Sequence, residues 1–254
     1  MKKIVASILA ILLMTCCFAG CTPADKSGEL NLVESGKLIM STNAEFPPYE
    51  MTDDNGGFVG IDIEIAQAIA KELGLELVID DMDFDAAMLA VQNGRSDICM
   101  AGLTVDNERL KVMDFSTSYA TGKQVIIVKE DSSVTLDNLG EHTIGTQKAT
   151  TSNIYCTDDY GEDHVVAYDS SITAVQALIN GQVDCVVVDS GPAQELIKGK
   201  NGLKILETEY VLENYAIAVD KGNTALLEAI NEALNKLMAD GTIQAIIDKY
   251  IKAE

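Results

Sequence analysis

The chain has 254 residues, 47% hydrophobic and 23% charged, with 40 acidic against 18 basic side chains and a formal net charge of −22. A surface of that sign repels phosphate backbones, and no cluster of Lys and Arg interrupts it, so a nucleic-acid role is excluded. The length suits one large domain or two lobes, and the composition excludes wholesale disorder.

Lys2 and Lys3 precede an apolar or small stretch, Ile4 to Met14, which is the layout of a secretory signal. A spanning helix is the alternative, because no charge occurs from Ile4 to Ala24. Phe18-Ala19-Gly20-Cys21 favours the signal: it resembles the bacterial lipobox, whose cysteine is lipidated and becomes the first residue. The expectation is a signal peptide over 1–20, a lipid (palmitate) on Cys21 and a tether over 21–34. Loss of Lys2 and Lys3 would take the charge from −22 to −24. No second span follows, so the body is expected at the extracytoplasmic face of the cell membrane rather than in a membrane-embedded sensor.

Leu38 to Ser41 reads as a strand. Ile61, Ile65, Ile69 and Leu73 recur every four residues, mark one helix face and stop at Gly74. Leu75 to Ile79 is a strand, Asp85 to Asn93 a helix and Asp97 to Ala101 a strand. This alternation gives an α/β fold with a mostly parallel sheet flanked by helices. Ala90-Val-Gln-Asn-Gly-Arg-Ser-Asp97 returns as Ala177-Leu-Ile-Asn-Gly-Gln-Val-Asp184, each a helix end capped by Asn-Gly before a strand that opens with Asp. Two lobes follow, with Lys123 to Val128 and Tyr215 to Val219 as two hinge strands. Lobe 1 is expected over 35–125 and 219–254, including helices Thr224 to Ala239 and Thr242 to Ile251, and lobe 2 over 126–218. Outside the leader, Cys99, Cys156 and Cys185 are odd in number and lack metal-ligand spacing, so they read as thiols without a disulfide.

The run from Gly60-Ile61-Asp62-Ile63-Glu64-Ile65 to Leu73 resembles the signature of the extracellular solute-binding proteins, family 3, the polar amino-acid receptors of ABC importers. Asn43 to Tyr49, Asp83 to Asp85, Ala101 to Arg109, Asp114 to Ser116 and Val186 to Ser190 follow in the family's order and spacing. The resemblance implies a two-lobed periplasmic-binding-protein fold of type II. It also implies a monomer that works with an ABC importer permease and needs neither cofactor nor metal.

The chemistry of the residues agrees with that reading. A free α-amino acid carries a carboxylate and an ammonium, so its receptor needs an anchor of each sign. The chain has only two arginines, Arg95 and Arg109, and a guanidinium offers a carboxylate two parallel charge-assisted bonds. By resemblance, Arg109 holds the carboxylate with Thr104 and the backbone around Gly102. Asp189 takes the ammonium, and Thr151 adds carboxylate contacts from a helix start. Phe46 and Phe84 sandwich the aliphatic part of the ligand, and Asn43, Gln147 and Asp85 are further candidates. Without the family context, Arg109 reads as a surface ion-pair partner beside Glu108, Asp189 as the cap of the next helix, and Phe46 and Phe84 as core. Two departures stand out: Ala149 occupies a position usually glycine, and Asn43 one that is Asp in many receptors for basic amino acids. Glu45 or Asp85 could then supply a counter-charge instead. The ligand side chain is expected to be basic or polar.

No nucleophile elbow, phosphate-cradling loop or dinucleotide fingerprint occurs, and His142 and His164 lack metal-ligand spacing. A non-catalytic receptor is therefore expected. The competing reading is a periplasmic dehydratase on the same fold, acting on prephenate or arogenate.

Overall fold

The computed structural model describes residues 30–206 and 210–251. The expected signal peptide, Cys21 and most of the tether lie outside them. The first stretch of chain runs β1 (Lys37–Thr42), β2 (Glu45–Phe46), β3 (Glu50–Thr52), β4 (Phe58–Val59), α1 (Ile61–Leu73), β5 (Glu76–Asp81), α2 (Phe84–Gln92), β6 (Ile98–Cys99), α3 (Arg109–Val112) and β7 (Met113–Phe115). A long strand, β8 (Ala120–Lys129), leads into β9 (Ile144–Gln147), α4 (Thr151–Tyr160), β10 (Val165–Tyr168), α5 (Ser171–Ile179), β11 (Cys185–Asp189), α6 (Ser190–Ile197), β12 (Leu203–Leu206) and β13 (Leu212–Tyr215). The chain then returns through β14 (Ala218–Asp220) to α7 (Thr224–Ala239) and α8 (Thr242–Tyr250).

Two main sheets result, one per lobe. The first has the order β5-β1-β6-β14-β7, with β1 parallel to β5 and β6, and β14 antiparallel to β6 and β7. The second has the order β10-β9-β11-β8-β12, with β9 parallel to β10 and β11, and β8 antiparallel to β11 and β12. A small antiparallel sheet, β2-β3-β4, stands beside the first. In each main sheet a single strand runs against its neighbours on both sides, β14 in the first and β8 in the second.

The apolar period of α1 explains its placement. Ile61, Ile65 and Ile69 are wholly buried, each worth about 1.5–3 kcal/mol against exposure, and Gly74 closes the helix at φ 70° in the left-handed region. α7 and α8 pack on α1, with Leu226, Ile230, Ala233, Leu234 and Leu237 forming the inward stripe of α7. Leu30 and Leu32 also pack against this core, and the Val33 N–H donates to Asp97 Oδ1 at 2.7 Å, so the last residues of the expected tether dock on the first lobe.

The internal echo has a structural cause. After α2, Gly94 takes φ 64° and the Arg95 N–H donates to the Ala90 carbonyl at 2.8 Å; after α5, Gly181 takes φ 72° and Gln182 donates to Ala177 at 2.9 Å. The aspartate that follows each turn clamps a neighbouring backbone. Asp97 Oδ2 accepts from Ile39 N–H at 2.7 Å, and Asp184 Oδ2 accepts from Thr143 N–H at 2.9 Å.

The lobes are joined by a two-stranded ribbon, in which β13 runs antiparallel to the first part of β8, from Leu212↔Lys123 to Tyr215↔Ala120. The expected single run from Tyr215 to Val219 is broken after Tyr215, because β13 belongs to the ribbon and β14 to the first sheet. Cys99, Cys156 and Cys185 are buried and free, and burial pushes each thiol up to about 12.

Candidate ligand-binding site

Strand ends and helix starts of both lobes meet in one cavity. Its lining includes nine of the residues singled out from sequence: Asn43, Phe46, Phe84, Gly102, Thr104, Arg109, Gln147, Thr151 and Asp189. Ala101, Thr150, Ser152, Ser171 and Val188 complete it. Strand C-terminal ends are where α/β sheets present ligand contacts, and Gln147 and Asp189 end β9 and β11.

Arg109 starts α3 and is only 7% exposed. Its Nε pairs with Asp106 Oδ2 at 3.1 Å, Nη1 donates to the Thr104 carbonyl at 2.7 Å, and Nη2 reaches across the cleft to the Ala149 carbonyl at 3.1 Å. The guanidinium carbon lies 5.5 Å from the Phe84 ring centroid, within cation–π range. The surface ion-pair alternative fits Lys111 instead, which takes Glu108. Burial lowers the Arg109 pKa, while Asp106 and Glu213 oppose that shift.

Asp189 stands at the N-cap position of α6 but makes no capping hydrogen bond. Its carboxyl turns inward, where Oδ1 accepts from the Tyr215 hydroxyl and Oδ2 from Gln124 Nε2 at 3.0 Å. Burial, followed by the negative field of Glu213, pushes the Asp189 carboxyl up to about 8. The helix-cap alternative for Asp189 is thus the weaker one.

The cap of α4 is Thr150, whose Oγ1 accepts from Asn153 N–H at 3.3 Å. Thr151 follows as the first helical residue, so its N–H is among those with no partner inside the helix. Gly102 takes φ 53°, and a Cβ there would lie 2.5 Å from Phe46 Cε1, so only glycine lets that ring cover the loop. The Gly102 N–H donates to the buried Asp62 Oδ2 at 2.9 Å. What Gly102 can offer a ligand is therefore its carbonyl, an acceptor suited to an ammonium rather than a carboxylate.

At the far end, Gln147 Nε2 donates to Asn43 Oδ1 at 2.9 Å across the cleft, and Ser171 Oγ donates to Gln147 Oε1 at 2.9 Å. Asp85 and Glu45 do not line the cavity. Asp85 lies 3.7 Å from Lys148 Nζ, which also pairs with Asp169 at 3.0 Å, and Glu45 is exposed. Neither is placed to supply a counter-charge. Among the described residues no cluster of His, Cys, Asp and Glu could hold a metal.

Sequence reading missed Gln124, Glu213 and Tyr215, which surround Asp189. The only signal was alternation in β13, where Leu212 is 72% exposed, Glu213 is 4% and Tyr215 is fully buried. A buried glutamate in an alternating strand is a request for a partner.

The sequence profile of the bacterial extracellular solute-binding proteins, family 3, matches residues 38–253. The chain belongs to that family. Family 3 members are solute-binding proteins and not enzymes, and the curated relatives are amino-acid-binding components of ABC transporters. The ABC transporter arginine-binding protein 1 of Escherichia coli is 32% identical over 219 residues, 84% of this chain and 90% of that one. The L-cystine-binding protein TcyJ of Escherichia coli is 31% identical over 232 residues, 89% of this chain and 87% of that one. Among solved structures, an ancestral arginine-binding protein bound to glutamine superposes with a TM-score of 0.81 at 40% identity, covering 87% of this chain and 100% of the other. The arginine-, lysine-, histidine-binding protein ArtJ of Geobacillus stearothermophilus gives 0.81 at 29% identity, covering 86% and 96%. These matches carry the two-lobed type II fold over the family 3 chain. No helix among the described residues is long and apolar enough to cross a membrane.

Proposed function

We propose that this family 3 protein is the substrate-binding lipoprotein of an amino-acid ABC importer, capturing a basic or polar L-amino acid between its lobes. The observation that carries the reading is the pair of opposite anchors in one cavity, Arg109 from the first lobe and Asp189 from the second. Arg109 would hold the ligand carboxylate with Thr104 and Thr151. Asp189 and the Gly102 carbonyl would take the ammonium, and Phe46 and Phe84 would cover the aliphatic stem. Ligand that contacts both lobes at once favours the closed arrangement by its differential affinity, which turns occupancy into a shape a permease can read.

Two observations bear on the ligand side chain. Asn43 and Gln147 offer amides without charge, which suits a neutral polar group such as glutamine. The relatives named for arginine, lysine and histidine favour a basic one. Calorimetric titration of the twenty amino acids and cystine decides between them. One-to-one binding at micromolar or tighter Kd is expected, and silence across the panel sinks the receptor reading. The anchor is tested separately: the intact mass should carry a diacylglyceryl group on Cys21 that Cys21→Ser removes.

A further inference from the structure

The proposed function uses one carboxyl group for the ligand ammonium, yet a second lies against it. Gln124 Nε2, on β8, donates to Asp189 Oδ2 at 3.0 Å and to Glu213 Oε2 at 2.8 Å, so two carboxyl groups converge on one amide. The Thr104 hydroxyl donates to Glu213 Oε2 at 3.1 Å, and the Tyr215 hydroxyl donates to Asp189 Oδ1. Glu213 Oε1 is buried and has no hydrogen-bond partner among the described residues.

Among the described residues, the ionisable neighbours that face the pair are Arg109 and three phenols. Arg109 faces Glu213 from α3, but its guanidinium is bonded to Asp106, Thr104 and Ala149. Tyr155 faces Glu213 from α4, and Tyr49 and Tyr215 face Asp189; burial raises all three phenols, so they stay protonated at neutral pH. Two full negative charges sharing one amide in a buried site repel strongly, and such a pair ionises in two steps with one proton retained between them.

We propose that Asp189 and Glu213 together form a two-carboxyl ammonium subsite that holds one proton without ligand and exchanges it for the ligand's ammonium, so that amino-acid capture releases a proton. The inference rests on the receptor reading above. The exchange replaces one positive charge by another: the ammonium arrives intact, the shared proton leaves to solvent, and Arg109 meets the ligand carboxylate. Burial, followed by the field of Glu213, raises the Asp189 carboxyl to about 8, so a proton stays on it at neutral pH. Glu213 is thereby a specificity-determining residue for α-ammonium ligands, one step behind the group that touches them.

The test is calorimetric titration of the full chain with L-arginine and L-glutamine at about pH 7, in buffers of differing ionisation enthalpy, whose slope counts protons. About one proton should be released, falling toward zero above about pH 9, with Kd tightening as pH rises up to that point. Glu213→Gln should still bind but release a smaller fraction of a proton, because burial alone still raises Asp189, with a flatter pH dependence of Kd. Binding with no buffer-dependent enthalpy overturns the inference, as does an unchanged release from Glu213→Gln. The wild-type pH dependence of Kd decides the question if that variant fails to fold. Silence of all twenty amino acids and cystine refutes the receptor reading, and this inference with it.

Discussion

Arg109 is buried with every nitrogen near an acceptor, and its contacts are of two kinds. Asp106 and the Thr104 carbonyl fix the guanidinium within its own lobe, while the Ala149 carbonyl lies on the other side of the cleft. Arg109→Ala should weaken amino-acid binding by about 2–5 kcal/mol, the range for truncating one partner of a buried charge pair. Calorimetry reads the loss, and a circular-dichroism melt separates it from misfolding. Arg109→Lys should lose most of the same affinity, because a point charge cannot reproduce the planar fork; near-wild-type affinity in either variant removes Arg109 from the site. Ala149 makes a prediction of another kind. It is the one non-glycine among the described residues at positive φ, 61°, where a Cβ costs about 1–2 kcal/mol. Ala149→Gly should therefore shift the denaturant midpoint upward by at most about 1 kcal/mol of stability, since glycine's larger unfolded-state entropy offsets part of the relief. A clear loss would show that the loop does not need the left-handed conformation. The sequence already flagged this position as a departure, but a φ angle cannot be read from composition.

Helices and central strands of this fold were legible because their burial is periodic. α7 runs from Thr224 to Ala239 as its apolar stripe predicts, and α1 begins and ends at Ile61 and Leu73. The short or irregular elements were not. β6 shrinks to Ile98–Cys99 from an expected five-residue run, because Asp97 turns its carboxyl to the Val33 and Ile39 backbones and the chain bends into the Gly102 loop. The nine cavity residues were legible through the family motifs, whereas Glu213 and Tyr215 sit on the ribbon and Gln124 just past it, where side chains are selected by neighbours far away in sequence. The ribbon is also where a methyl group has the greatest reach. A Cβ at Gly122 of β8 would overlap the Tyr215 hydroxyl and stand 2.9 Å from Asp189 Oδ1. Gly122→Ala should cost about 1–3 kcal/mol of stability, the usual cost of overpacking, and push Tyr215 off Asp189, which weakens ligand binding with both sheets intact by circular dichroism. Unchanged affinity would mean that Tyr215 does not orient Asp189.

At the scale of the whole molecule, buried carboxyl groups set how stability responds to pH. Burial, reinforced by Asp62, raises Glu50 well above the usual carboxylate range. Burial also raises Asp62 to about 6, against which its bond from the Gly102 N–H acts, and Asp189 to about 8. In the unfolded chain each aspartate would ionise near its ordinary value of 3.8. Between that pH and the raised one, the native state therefore binds more protons than the unfolded state, and stability falls as pH rises. Glu64 and Asp114 act in the opposite sense: their lowered pKa values lend stability above the ordinary carboxylate range that is lost on acidification, but both are only half-buried, in ion pairs with exposed lysines that solvent screens. Ligand-free protein should accordingly melt highest in mildly acidic buffer and lose thermal stability steadily toward about pH 8. Self-repulsion of a chain carrying −22 also grows with pH, so the slope alone does not identify its source. Asp189→Asn separates the two causes, because it removes the buried group and only one of 40 acidic side chains. Its melting temperature should fall less than that of wild type between about pH 5 and about pH 8. An undiminished fall in the variant would assign the effect to surface repulsion, and the buried carboxyl pair would then have no part in the pH response.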